Sequence, residues 1–189
     1  MKKLAALTGA IALAGALGAC SSSSSSTSSG SSTATASAMP KSGTEAAYGK
    51  GSAAMVSSLV FHLTFTGPVD TTGTTPLGAM PAKGVSYTAT TAAGNLVVTA
   101  TSAGTIKGGV KSAKACLVTY TTAVPFTVDG AKSTGKFAGA AGSGKSVVVF
   151  SAVLPKLSNG TCNQSQSAVL SATKAVGTFT SAGKLTLKQ

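Results

Sequence analysis

Apolar and polar positions alternate along most of the chain beyond residue 45. In "LVFHLTFTG", Phe61, Leu63 and Phe65 share one face, and His62, Thr64 and Thr66 share the other. "VSYTATT" and "NLVVTATS" flank Ala92-Ala93-Gly94, which reads as a hairpin turn. "CLVTYTT" runs on toward Pro125, and "PFTVDG" puts Phe126 and Val128 on one face. "GKFAGAAGSGKSVVVFSAVLP" reads as a Gly-rich turn between two extended arms. "VGTFTSAGKLTLKQ" has the same form, with Phe179 before a turn at Ala182-Gly183, then Leu185 and Leu187 on one face. Thr and Val, which suit a pleated surface, are abundant, and no segment has helical periodicity with caps. The pattern predicts one all-β domain over residues 46–189, either an antiparallel β-sandwich or a small β-barrel.

The start of the chain follows a different rule. Met1-Lys2-Lys3 is basic, and Leu4 to Ala16 is uncharged, with Thr8 its one hydroxyl residue. That stretch is shorter than the ~20 residues a membrane-spanning helix needs and has the three-part form of a secretory signal. It ends in Leu17-Gly18-Ala19-Cys20, which resembles the bacterial lipobox. The resemblance implies a signal peptide over 1–19, diacylglycerol on the Cys20 sulfur, usually an acylated amine, and extracytoplasmic anchoring to the cell membrane. At about 0.8 kcal/mol per buried CH₂, two or three chains hold a protein on a bilayer where one does not. Ser21 to Ser37 is almost entirely Ser, Thr, Ala and Gly, too poor in apolar surface to repay its ordering entropy. With Met39-Pro40-Lys41 and the residues to Glu45 it reads as a flexible tether, so that 20–45 separates anchor from domain.

Charge narrows the partners. The 15 basic residues are all Lys; without Lys2 and Lys3, 13 remain against Glu45, Asp70 and Asp129, a net +10. Arg is the residue suited to bidentate capture of phosphate or carboxylate, so a Lys-only surface points to diffuse attraction. Anionic lipid headgroups and envelope polymers fit this, and Lys107, Lys111 and Lys114 form the densest group; the favoured reading is that such spread-out Lys keep a β-rich protein soluble and blunt its strand edges. Nucleic-acid binding is not expected, because no basic-aromatic motif accompanies the charge. With Cys20 lipidated, Cys116 and Cys162 remain as an even pair in an exported domain and are expected to form a disulfide. A metal pair would need ligands that one His and three scattered acids do not supply, so no metal or other cofactor is expected.

"GAAGSGKS", Gly139 to Ser146, matches the phosphate-loop pattern G-x-x-x-x-G-K-[ST]. That loop requires a helix after it, whereas Val147-Val148-Val149-Phe150 favours a strand. The residues are therefore read as a hairpin turn, with no nucleotide partner. The hairpin, through Gly135, Phe137, Gly139, Ala140 and Gly142, resembles Gly-rich hairpins of secreted bacterial β-domains, some similar to allene oxide cyclase and dirigent barrels. The resemblance covers one hairpin and implies a barrel, without any catalytic residue. Its Gly-x-Phe start and Lys-led strand also appear in the segment around Phe179.

No catalytic set emerges. His62 is the single histidine, on the polar face of its strand, with Asp70 or Asp129 as conceivable partners. The chain lacks a G-x-S-x-G elbow, and two Asp without Trp make a poor glycosidase site. Asn159-Gly160-Thr161 and Asn163-Gln164-Ser165 read as loop residues around Cys162. The expected function is a non-enzymatic binding or structural module of the envelope. The alternative is a barrel carrying a small hydrophobic ligand, for which an interior cavity of a few hundred Å³ is the discriminating feature. A hydrolase using His62 is the third class.

Overall fold

The computed structural model describes residues 42–78 and 82–188. The segment read as a signal peptide, Cys20 and the expected tether as far as residue 41 lie outside the described residues. Nine strands are present: β1 (Ser42–Met55), β2 (Val60–Thr66), β3 (Thr71–Pro76), β4 (Ser86–Thr91), β5 (Gly94–Ala100), β6 (Thr105–Ser112), β7 (Leu117–Val128), β8 (Ala141–Val153) and β9 (Thr173–Thr186). All pair antiparallel, in the order β5-β4-β3-β2-β1-β9-β8-β7-β6. A further antiparallel contact, Val98↔Val128, Thr99↔Thr127 and Ala100↔Phe126, joins β5 to β7 and closes eight strands into a barrel. Of the two all-β architectures the sequence allowed, the barrel is the one formed. β6 stands outside the ring, paired to the upper half of β7. No helix among the described residues is long and apolar enough to cross a membrane.

The alternation decides which side chains enter the barrel. Phe61, Leu63 and Phe65 are buried, and His62, Thr64 and Thr66 are exposed. Full burial of each large apolar side chain contributes roughly 1.5–3 kcal/mol. Phe61 packs against Phe179 with ring centroids 6.0 Å apart, and Phe150 against Tyr120 at 5.6 Å. Val69, Phe137, Ala140 and Leu185 form a second cluster. The expected hairpin at Ala92-Ala93-Gly94 is present, connecting β4 to β5, with Gly94 at φ +127.

Several boundaries differ from the sequence reading. Ser42–Glu45, assigned to the tether by composition, belong to β1, where pairing to Leu185 and its neighbours on β9 supplies the order that composition lacked. "CLVTYTT" and "PFTVDG" lie on one strand, β7, which runs through Pro125. Pro125 has no N–H to donate, and its backbone faces the place where the neighbour of β7 changes from β6 to β5; there its carbonyl accepts from Thr101 N. The arm expected before the Gly-rich turn is a short 3-10 turn, Gly135–Phe137, and only the following arm, β8, is a strand. Ala182-Gly183 is no turn either: β9 passes straight through it. A Cβ at Gly183 would lie 2.5 Å from Ser143 O, and one at Gly144 would lie 2.8 Å from the Phe126 ring. These glycines serve close approach of strands and ring rather than chain reversal. The two "hairpins" are thus two long adjacent strands. One short helix was also missed: α1 (Gln166–Leu170), capped by Ser165 Oγ, which accepts from Ala168 N.

Cys116 and Cys162 form a disulfide, with Cα atoms 5.4 Å apart, as the sequence led us to expect. Cys116 sits just before β7 at φ +50, in the left-handed region, and Cys162 lies in the loop after β8. The bond ties that loop to the barrel wall.

Candidate functional site

The inward faces of the strands do not fill the barrel. Phe61, Leu63 and Phe65 of β2, Ala89 of β4, Leu96 and Val98 of β5, Phe126 of β7 and Val148 of β8 surround a chamber of about 130 Å³. Val56, Leu77 and Gly78, with Val169 and Leu170 at the end of α1, border it as well. Two of the lining positions are small, Ala47 on β1 and Ala89 on β4, where larger side chains would take up part of the space. An apolar cavity of ~150 Å³ stays dry and takes up benzene, so this chamber matches a ligand of that size. It is smaller than the few hundred Å³ set out as the expectation for a carrier.

Few polar atoms reach this lining, and most are already bonded. Thr75 Oγ1 donates to Thr88 O at 3.0 Å, and Ser146 Oγ donates to Ser181 Oγ at 3.1 Å. Tyr87 Oη is buried without a partner, and burial raises the pKa of the phenol.

A smaller cavity of about 30 Å³ adjoins the first, sharing Ala47, Phe65, Leu96, Phe126 and Ser181 with it. Glu45 lines this second cavity and is 8% exposed. Its Oε2 accepts from Val69 N at 3.0 Å, while Oε1 is buried with no partner. Desolvation by burial raises the carboxyl pKa and the Asp70 charge adds to the rise; the Val69 N–H opposes it. Sequence reading missed this residue by placing it in the tether. The signal that could have found it is the alternation Glu45, Ala47, Gly49, which continues the inward series of β1.

The other sequence candidates are dispersed. His62 is exposed on the outer face of β2, opposite Lys50 and Thr74. Asp70 caps the β2–β3 turn by accepting from Gly67 N, and Asp129 pairs with Lys132 at 3.0 Å. Among the described residues neither acid hydrogen-bonds to His62, and no three His, Cys, Asp or Glu residues are grouped to hold a metal. In Gly139–Ser146 the chain enters β8 at Ala141, so that Lys145 is paired to Pro125 and Ala182 within the sheet. No helix follows to present N–H groups to a phosphate. Asn159 and Asn163 accept from Thr161 N and Ser165 N in the loop around Cys162.

The acids gather at one end, together with Lys132, Lys136, Lys184 and Lys188, whereas the other end carries Lys without acids. Ser42, Thr186 and Ala141 mark one end, and Glu45, Asp70 and Asp129 all lie toward it. Met55, Thr173, Val153 and Leu117 mark the other. Toward that second end stand Lys111, Lys114, Lys156 and Lys174 with the exposed apolar Met55, Leu117, Leu157 and Val176, and no acid.

No family model matches the chain, and neither a curated protein nor a solved structure does. Fold and site define a class: a closed, eight-stranded antiparallel barrel with an apolar chamber inside.

Proposed function

We propose that this chain is a non-enzymatic carrier, held by a lipid on Cys20 at the extracytoplasmic face of the membrane, whose barrel takes up a small hydrophobic molecule. The observation that carries the reading is the apolar chamber of about 130 Å³ within a closed barrel. A space lined mostly by Phe, Leu, Val and Ala favours an apolar guest through burial of its surface, and a preformed wall lowers the ordering cost. Any ligand that binds only the folded chain raises its stability by RT ln(1 + [L]/Kd). Toluene near saturation should therefore raise the melting temperature of the chain carrying Cys20→Ser. Ala89→Trp, which fills the chamber, should abolish that rise. An equal response from both proteins, or from neither, counts against the carrier.

The division of charge favours a companion role. The end without acids, with Lys111, Lys114, Lys156 and Lys174 and the exposed Met55, Leu117 and Val176, suits a surface of anionic lipid headgroups, whereas at the far end Lys132, Lys136, Lys184 and Lys188 are offset by the three acids. Cosedimentation of the unlipidated chain with vesicles containing phosphatidylglycerol, lost at high salt and in Lys111→Glu/Lys114→Glu, tests it. Equal binding to neutral vesicles would remove this reading.

A further inference from the structure

We propose that Glu45 is the polar recognition point of the barrel, and that its ligand is a small amphiphile whose hydroxyl group hydrogen-bonds Glu45 Oε1 while its apolar body occupies the larger chamber. The inference rests on the carrier reading and adds the chemical class of the guest. Leaving a buried polar atom unmade costs about 1–3 kcal/mol, and more for a charged group. Glu45 Oε1 is such an atom, whereas Oε2 is already bonded to Val69 N at 3.0 Å. The orphan oxygen is therefore not needed to hold the β2–β3 turn. Glu45 lines a cavity of about 30 Å³ whose lining shares Ala47, Phe65, Leu96 and Phe126 with the main chamber. For a molecule in the large space to reach the carboxyl, these shared side chains must yield to it, and the proposal includes that adjustment.

The surroundings select the head group. Lys184 borders the same cavity, yet the one ion pair among the described residues joins Lys132 to Asp129, so Glu45 is not neutralised by a salt bridge. A hydroxyl both donates and accepts, so it can pair with the carboxyl in either protonation state. An ammonium meets only the carboxylate and must itself be stripped of water in an apolar space.

The test uses the mature chain with Cys20→Ser and three probes of one shape: toluene, benzyl alcohol and benzylamine, titrated by NMR. The alcohol is better hydrated than toluene, so the quantity to compare is the ratio of the two dissociation constants across variants. In Glu45→Met, the preference for benzyl alcohol relative to toluene should fall about tenfold while toluene affinity is kept. Glu45→Gln keeps an acceptor oxygen for Val69 N and turns an amide N–H toward the ligand, from which the hydroxyl oxygen can accept; it should keep most of the alcohol preference, which guards against misfolding of the Met variant. An unchanged ratio in Glu45→Met means that water alone satisfies Oε1, and it overturns the proposal while leaving the carrier standing. Benzylamine binding more tightly than benzyl alcohol overturns the hydroxyl assignment. Failure of all three probes to bind the parent chain overturns the carrier and the head-group assignment together.

Discussion

Replacing Cys116 and Cys162 together by Ser should lower stability and loosen one border of the chamber. The bond spans 46 residues of sequence. In the chain-entropy treatment a loop of that length is worth about 4 kcal/mol. For a domain of about 150 residues each kcal/mol moves the melting temperature by ~2–4 °C, so the expected drop is about 8–16 °C. The structure shows where the loss is felt. The loop after β8 is held by Leu154 N to Cys116 O at 2.9 Å, by Asn163 N to Pro155 O at 2.9 Å, and by the disulfide. That loop leads into α1, whose Val169 and Leu170 border the chamber, and then to Ala172, whose carbonyl accepts from Val56 N. Differential scanning calorimetry of the oxidised chain and of the double variant gives the first number; hydrogen exchange over 154–172 gives the second. Melting temperatures within about 2 °C of each other would refute the entropic argument. Rapid alkylation of two thiols in the untreated native protein would refute the bond itself.

Other perturbations follow from the same geometry. Phe61→Ala removes a fully buried ring and should cost about 3–5 kcal/mol in urea unfolding; a cost under about 1 kcal/mol would mean that the wall collapses into the space. Gly144→Val sets a branched side chain against Phe126 and the β9 backbone at Ala182, and should destabilise by roughly 1–3 kcal/mol or more; neutrality would mean that the strands can shift apart. Glu45 has a raised carboxyl pKa, with Asp70 and the border residue Lys184 the charges near it. The folded state therefore binds its proton more tightly than the unfolded state, so its contribution is full below the unfolded value near 4.5 and is lost as pH rises through the folded value. Glu45→Gln should flatten that part of the stability–pH curve, and an unchanged slope would place the titration elsewhere. Asp129, lowered through its hydrogen bond to Lys132, acts with the opposite sign, losing its contribution as pH falls through its folded value. Cys20→Ser should abolish lipid labelling; a membrane-bound, labelled form would mean that the lipobox was misread.

The alternation of side chains was the most legible feature because it needs no long-range information. The faces of β2 and the turn at Ala92-Ala93 could be read from a few neighbouring residues. What the sequence hid depended on partners distant in the chain. Gly144 and Gly183 look like turn residues until β8 and β9 are seen lying side by side with Phe126 against them. Ser42–Glu45 look like tether until β9 is seen pairing with them. Closure through Val98↔Val128 and its neighbours joins strands whose local patterns would serve a sandwich equally well. The chamber was illegible for the same reason: its lining draws side chains from β1, β2, β4, β5, β7 and β8, a relation between strands rather than a motif within one.

The most direct test of the account follows methyl resonances during a toluene titration of the Cys20→Ser chain. The chamber reading predicts that Leu63, Leu96, Val98 and Val148 shift together along one saturable curve, while the exposed Leu157 and Val176 stay fixed. Shifts confined to Leu157, Val176 and other surface methyls, or no saturable response at all, would contradict it.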